Sequence, residues 1–363
     1  MDISIKPPFY AKAALIFISV FAFVFTLHIG QGIIIPIVFA TIVAILLNPL
    51  VNYLLRKKVN KIIAISIAVI LSIIAMLGIV YVISSQVTMF SETYPQLKIK
   101  LDNRADQFVK WASHKLNIGR PAVRKWISDS QTDAVKSFDT GETLWQMGHI
   151  GIIITLLPVY LFMILYYKTL LLEFIRKLFQ SEHHIAVVAI LTNSKNIIQT
   201  YLVGLVFEML IMAVLNSTGL LLLGIDYAII LGITGAILNI IPYIGGIIAI
   251  ALPMTIAFVT KESLTYPILV FFIYIIIQFI DNHYIIPKIV AARVKINALV
   301  SVIVVLIGGA VWGIPGMFLS IPLTAIIKVV CDHIEPLKPW GFLMGNIIPT
   351  TSRFSFIKRK KVK

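Results

Sequence analysis

The chain has 363 residues, of which 59% are hydrophobic and 13% charged, well below the roughly one quarter charged that soluble domains carry. A mean hydropathy of +0.96, with several apolar runs longer than the ~20 residues that cross ~30 Å of hydrocarbon, defines an integral membrane protein and excludes a single water-soluble core. The net charge of +15 does not point to nucleic acid, because the basic residues stand in short runs beside apolar spans: Arg56-Lys57-Lys58 with Lys61, Arg176-Lys177, and Arg353 with Lys358-Arg359-Lys360-Lys361 and Lys363. Such runs mark cytoplasmic loops in contact with anionic lipid headgroups.

The predicted elements begin with a retained first span at residues 11–28. No small-residue cleavage site follows it, so it does not read as a removable signal. A second span covers 33–55, with Pro36 near its start and Asn48-Pro49 near its end, and a third covers 62–87. These form an N-terminal three-helix membrane segment, 1–87, with the basic 56–61 loop cytoplasmic. Residues 88–148 differ: Leu97, Leu101, Ala105, Phe108 and Ala112 recur at helical spacing among charged residues. This pattern predicts amphipathic helices outside the bilayer, on the extracytoplasmic side, with a turn at Asn117-Ile118-Gly119-Arg120-Pro121. The segment reads as a gate, a cap, an oligomer contact or a plain solvated connector.

Residues 149–335 form the expected transport core, and 336–363 a basic cytoplasmic tail. A fourth span covers 149–167, an interfacial stretch 168–195, and a fifth span 197–223. The next apolar run, 227–259, is broken near Pro242. As one helix its 33 residues would measure about 50 Å, too long for a bilayer, and each half alone is too short to cross. A hairpin that enters and leaves on one side fits both facts. Residues 297–330 repeat the problem, broken at Gly308-Gly309 and Gly313-Ile314-Pro315-Gly316. With two opposed hairpins, the span at 264–286 runs inward and leaves Lys288, Arg293 and Lys295 in the cytoplasm, as the positive-inside rule prefers. The rival arrangement is two kinked, tilted single spans. The expected fold is therefore all-α and polytopic, with about six full spans, two re-entrant or broken hairpins, and both termini cytoplasmic. Prolines following each break (Pro242 then Pro253, Pro315 then Pro322) hint at an internal repeat.

Ionisable and polar residues inside these runs are the candidate site. Glu208 lies near the centre of the fifth span, where a charged carboxylate costs ~2.5–3.5 kcal/mol. It suits a proton carrier; a protonated structural residue is the bland alternative. Gly204 and Gly219 share nearly its helix face and leave room for a neighbour. Asp281 groups with Gln278 and Asn282 at helical spacing, offering oxygens to sodium or hydrogen bonds to a polyol. Its alternative is a salt bridge to Lys288 or Arg293. Asn239, Pro242, Gly245 and Gly246 would form the first hairpin tip, and Gly313, Pro315 and Gly316 the second, where freed carbonyls meet a cation or hydroxyls. Cys331 is the sole cysteine, so no internal disulfide is available and a buried apolar role is expected. His183-His184 diverge on a helix and make a poor metal site. No Walker loop, zinc-protease motif or nucleophile elbow is present, so no cofactor, metal or ATP is implied.

Several of these blocks together resemble the autoinducer-2 exporter family of bacterial membrane proteins: Asn239 to Gly246 followed by Pro253, Asp281-Asn282 through Pro287-Lys288, Gly308-Gly309 through Pro322, and Gly204 to Gly224 with Asp226-Tyr227. Pro315 departs from the aliphatic residue more common there. The resemblance implies a multi-span transporter of the bacterial inner membrane and a homo-oligomer such as a pentamer. It also implies one of two activities, autoinducer-2 export or sodium/proton exchange. The favoured expectation is proton-coupled export of a small polar organic solute. A sodium/proton antiporter is the close alternative, and a membrane scaffold without transport the remaining one.

Overall fold

A computed structural model describes residues 8–116, 155–242, 244–290 and 296–346. The architecture is all-α; among the described residues no strand forms, and one isolated bridge joins Ile296 to Gly345. Helix α1 is Phe9–Ile29 and α2 Gln31–Arg56, separated only by Gly30. Both Pro36 and Pro49 lie within α2. Among the described residues six helices are long and apolar enough to cross a membrane, or seven if one bent pair counts as a span. No residue of α1 is buried, and Phe17, Phe21 and Phe25 are exposed along it. A surface of that kind belongs in hydrocarbon.

Helix α3 runs unbroken over 56 residues, Lys61–Leu116. Its apolar part, Lys61–Thr93, therefore passes into the charged region without a loop, and the expected insert starts inside a helix already under way. The reason is simple: backbone hydrogen bonding does not require the side chains to stay apolar. The rest of that insert, the turn at 117–121 and the first residues of the fourth span lie outside the described residues, as does the basic tail beyond 346. Helix α4 is Thr155–Tyr166, and it bends by 66° into α5, Lys168–Lys177, an amphipathic helix with no buried residue. Helix α6, His184–Leu222, starts well before the predicted fifth span.

The run after α6 is broken as expected. Tyr227 takes a left-handed conformation just before α7, Ala228–Asn239, and α8 follows as Ile244–Thr260. The two lie against each other: a β-carbon on Gly245 would come within 1.7 Å of the Leu238 carbonyl oxygen. Helix α9, Thr265–Ile280, passes directly into a π-helical stretch, Asp281–Val290. The outer end of α8 is held by α3, whose Lys100 ammonium donates to the carbonyls of Val259 and Lys261. Cations at a helix C-terminus satisfy its last carbonyls in this way.

Helix α10, Ala298–His333, is helical by hydrogen bonding on both sides of Gly313, which sits at φ 62°, ψ −143°. That conformation is open to glycine and strained for other residues. It reverses the chain. A β-carbon on Gly308 would lie 2.5 Å from the Gly316 carbonyl oxygen and 2.0 Å from Ser320 Oγ, whereas residues eight apart in a straight helix stand about 12 Å apart. The two ends of α10 also meet one segment, α11 at Lys338–Met344 and the residue after it. Asn297 caps α10 through Val300 N–H at 2.9 Å and donates to the carbonyls of Leu343 and Gly345, while Gly341 packs on Asp332. Near the fold, Trp312 Nε1 donates to Leu27 O at 2.9 Å and His28 Nδ1 meets Val311 O at 2.9 Å, tying the turn to α1.

Gly308→Ala should force the two halves of α10 apart and lower stability by about 1–3 kcal/mol. Gly78→Ala, with nothing within 4 Å of the added carbon, should change little. Thermal unfolding in detergent distinguishes the two.

Candidate functional site

The first break brings three helices to one point. Asn239, the last residue of α7, projects its amide between α6 and the start of the π-helical stretch. Its Nδ2 donates to Asp281 Oδ2 at 3.0 Å and reaches Glu208 Oε1 at 3.5 Å. Gln278 Nε2 donates to the same Asp281 oxygen at 3.3 Å. Glu208 and Asp281 are both buried, Asp281 completely. Among the described residues no lysine, arginine or histidine forms an ion pair with either. Sharing one nitrogen, the two carboxylate oxygens stand no more than about 6.5 Å apart, where two full charges repel by about 2–3 kcal/mol even at an effective dielectric of ~20. Two full charges at this separation are therefore disfavoured.

The remaining oxygens of the site are amides. The position a β-carbon would take at Gly246 lies 3.5 Å from Gln278 Oε1 and 3.8 Å from Asn239 Oδ1, so both face the glycine at the start of α8. Asp281 Oδ1 is buried and without a protein partner. The donor set around Asn239 is thus all oxygen, the chemistry that suits protons and hard cations.

Five of the eleven predicted site residues meet here. Glu208, Asn239, Gly246, Gln278 and Asp281 converge; Pro242 and Gly245 shape the break beside them. Asn282 is exposed and turns away. The salt bridge weighed for Asp281 is not formed with Lys288, which is exposed while Asp281 faces inward; Arg293 lies outside the described residues. Gly313, Pro315 and Gly316 form the second turn. Its link to the first is apolar: Ile240, beside Asn239, shares one hydrophobic cluster with Trp312, Phe318 and Leu319 and with Leu205 of α6.

Two buried polar residues that the spacing did not single out lie farther along the same helices. Asn216 on α6 is 1% exposed, and its Oδ1 has no protein partner; Tyr274 on α9 is 3% exposed, and its hydroxyl has none. Both border Gly235 of α7, with Asn216 Nδ2 at 3.3 Å and the Tyr274 hydroxyl at 3.5 Å from the position of an added β-carbon. They stand about two turns from Glu208 and Asp281 on the same helices, roughly 10–12 Å away. Gln86 of α3, one turn before Met89, which shares a hydrophobic cluster with Tyr274, is buried with both amide atoms unpartnered. An unpartnered buried polar atom costs ~1–3 kcal/mol, so packing alone does not account for these groups.

Polytopic helices, interrupted apolar runs and a buried polar site at a break define a membrane transporter. Residues 15–335 match the AI-2E family transporter model, and the chain belongs to that family. Among its relatives, YhhT of Escherichia coli strain K12, provisionally named a transport protein, is 24% identical over 319 residues, covering 88% of this chain and 90% of that one. The AI-2 transport protein TqsA of the same strain is 24% identical over 321 residues, covering 88% and 92%. YrrI of Bacillus subtilis strain 168, also provisionally named a transport protein, is 34% identical over 137 residues, 37% of each chain.

Asn239→Ala removes the donor shared by the two carboxylates and should lower stability by about 1–3 kcal/mol. Tyr274→Phe removes an unpaired buried hydroxyl, so it should unfold at the same temperature as the parent or higher, yet transport more slowly. Melting curves paired with uptake assays on each variant check both outcomes.

Proposed function

We propose that this protein is a proton-coupled secondary transporter that exports a small polar organic solute across a bacterial inner membrane. The observation that carries the reading is the acid pair Glu208 and Asp281, held through Asn239 at the break between α7 and α8. A proton on the pair removes its repulsion and a proton leaving restores it, so the break is biased between two arrangements. Hydrogen-bonding groups at Asn216, Tyr274 and Gln86 supply a polar route suited to a hydroxylated solute. The name of TqsA, an AI-2 transport protein, supports the same solute class.

In this reading α7–α8 and the two halves of α10 are opposed re-entrant hairpins, and the termini lie in the cytoplasm with the basic runs. Helix α1, which buries nothing within its own chain, is the natural contact for further copies in a homo-oligomer. A second reading, sodium/proton exchange, is favoured by the all-oxygen donor set around Gly246, which fits Na+ as well as a proton. A scaffold without transport has no use for buried carboxylates at a broken helix.

Purified protein in vesicles, followed by internal pH after a sodium pulse, separates these. The solute-export reading expects no sodium-driven proton movement, together with solute efflux that follows an imposed proton gradient and falls at least tenfold in Glu208→Gln. Sodium-driven proton movement lost in that variant establishes the exchanger instead. Normal fluxes of both kinds in the variant would remove Glu208 from the mechanism.

A further inference from the structure

A second polar site lies far from the carboxylates, between the C-terminal turns of α2 and the N-terminal half of α6. A cavity of about 260 Å³ is lined there by Asn48, Asn52, Tyr53 and Arg56 from α2 and by Lys195 and Gln199 from α6. No aspartate or glutamate lines it. Asn48, 5% exposed, accepts a hydrogen bond from Lys168 Nζ at 2.7 Å through its carbonyl oxygen, which leaves its NH2 group free to donate. Lys168 in turn feels the positive charge of Lys195. Two cations, Arg56 and Lys195, therefore line a pocket rimmed with amide and phenol donors, a third, Lys168, bonds to its Asn48, and among the described residues none of the three is ion-paired. Glu208, farther along α6, is about 20 Å from Lys195 by helical rise.

Uncompensated cations in a partly buried pocket repel one another, and an anion relieves that cost. Arginine offers a planar fork that matches phosphate oxygens two at a time, and lysine adds point charge. The volume falls below the ~300 Å³ of pockets that engulf a drug-sized ligand, so it suits a headgroup rather than a whole molecule. Arg56 also belongs to the Arg56-Lys57-Lys58 run that the positive-inside rule assigns to the cytoplasmic face, where anionic lipids concentrate and where basic pockets between helices take their headgroups.

The geometry points to a phosphate-binding site here, filled by an anionic phospholipid headgroup that bridges the N-terminal helices to the helix carrying Glu208. Free phosphate offers the same chemistry, and the test tells the two apart. Detergent-purified protein is titrated with dioctanoyl phosphatidylglycerol, with dioctanoyl phosphatidylcholine and with inorganic phosphate, reading both the melting temperature and bound ligand by native mass spectrometry. Saturable binding of phosphatidylglycerol is expected, weakened about tenfold or more in Arg56→Gln/Lys195→Gln. Asn52→Leu, which fills the pocket without changing charge, should weaken it likewise, and Lys57→Gln, outside the pocket, should not. Binding of inorganic phosphate alone, with the same dependence on Arg56 and Lys195, would keep the site and replace the lipid with a soluble phosphate. Equal binding by the double variant and the parent, equal response to phosphatidylcholine, or no binding of either anion to the parent would each overturn the site.

Discussion

A carboxylate inside a helix bundle in hydrocarbon must be neutralised or hydrogen-bonded, and this chain places two of them on either side of one amide. Glu208 rides on α6 and Asp281 on the junction after α9, and Asn239 reaches both from the end of α7. Asn239 is the last residue of α7, so the contact sits directly at the break. The break at 240–243, the entry of α8 beside it and the inward turn of Asp281 all serve this contact.

Close approach is the second requirement. Helices in lipid gain little from burying apolar surface against one another, so they are held by fit, and small residues permit the fit. Gly219 of α6 admits Ile273 of α9, Gly232 of α7 admits Ser217 of α6, and Gly245 lies on the Leu238 carbonyl. The α6–α7–α9 group that carries the polar site is thus drawn together at glycines. In α10 the same device is internal: Gly308 and Gly316 let the two halves touch across the reversal at Gly313.

The sequence made the helical class and the ionisable residues plain, because a charge in an apolar run is costly enough to be its own signal. Glu208 and Asp281 were legible for that reason, and so was the break at Pro242. Their convergence was not, since it depends on how α6, α7 and α9 pack. Asn282, the neighbour of Asp281 in sequence, points roughly 90–100° away from it around the helix axis and is exposed, so the two do not share the inward face. Asn216 and Tyr274 were readable in principle, at eight and seven residues from the two acids, but a lone asparagine or tyrosine in a span carries no alarm. In α10 the glycine cluster announced a reversal, yet only the backbone at Gly313 says which glycine turns. The long α3 hid its continuity because the change from apolar to charged near residue 88 looks like an ending.

The length of α3 has a mechanical consequence. At 1.5 Å per residue its 56 residues measure about 84 Å, far more than a bilayer's thickness. It is fastened at one end, where Lys61 Nζ donates to the Tyr166 carbonyl at 2.9 Å, and again far along its shaft, where Lys100 grips the last carbonyls of α8. Between the two contacts Pro95 removes one backbone donor, so the shaft bends most readily just before Lys100. The 39 residues from Lys61 to Lys100 rise about 58 Å, so one helix connects the Tyr166 carbonyl to the C-terminal end of α8, the helix that starts beside Asn239.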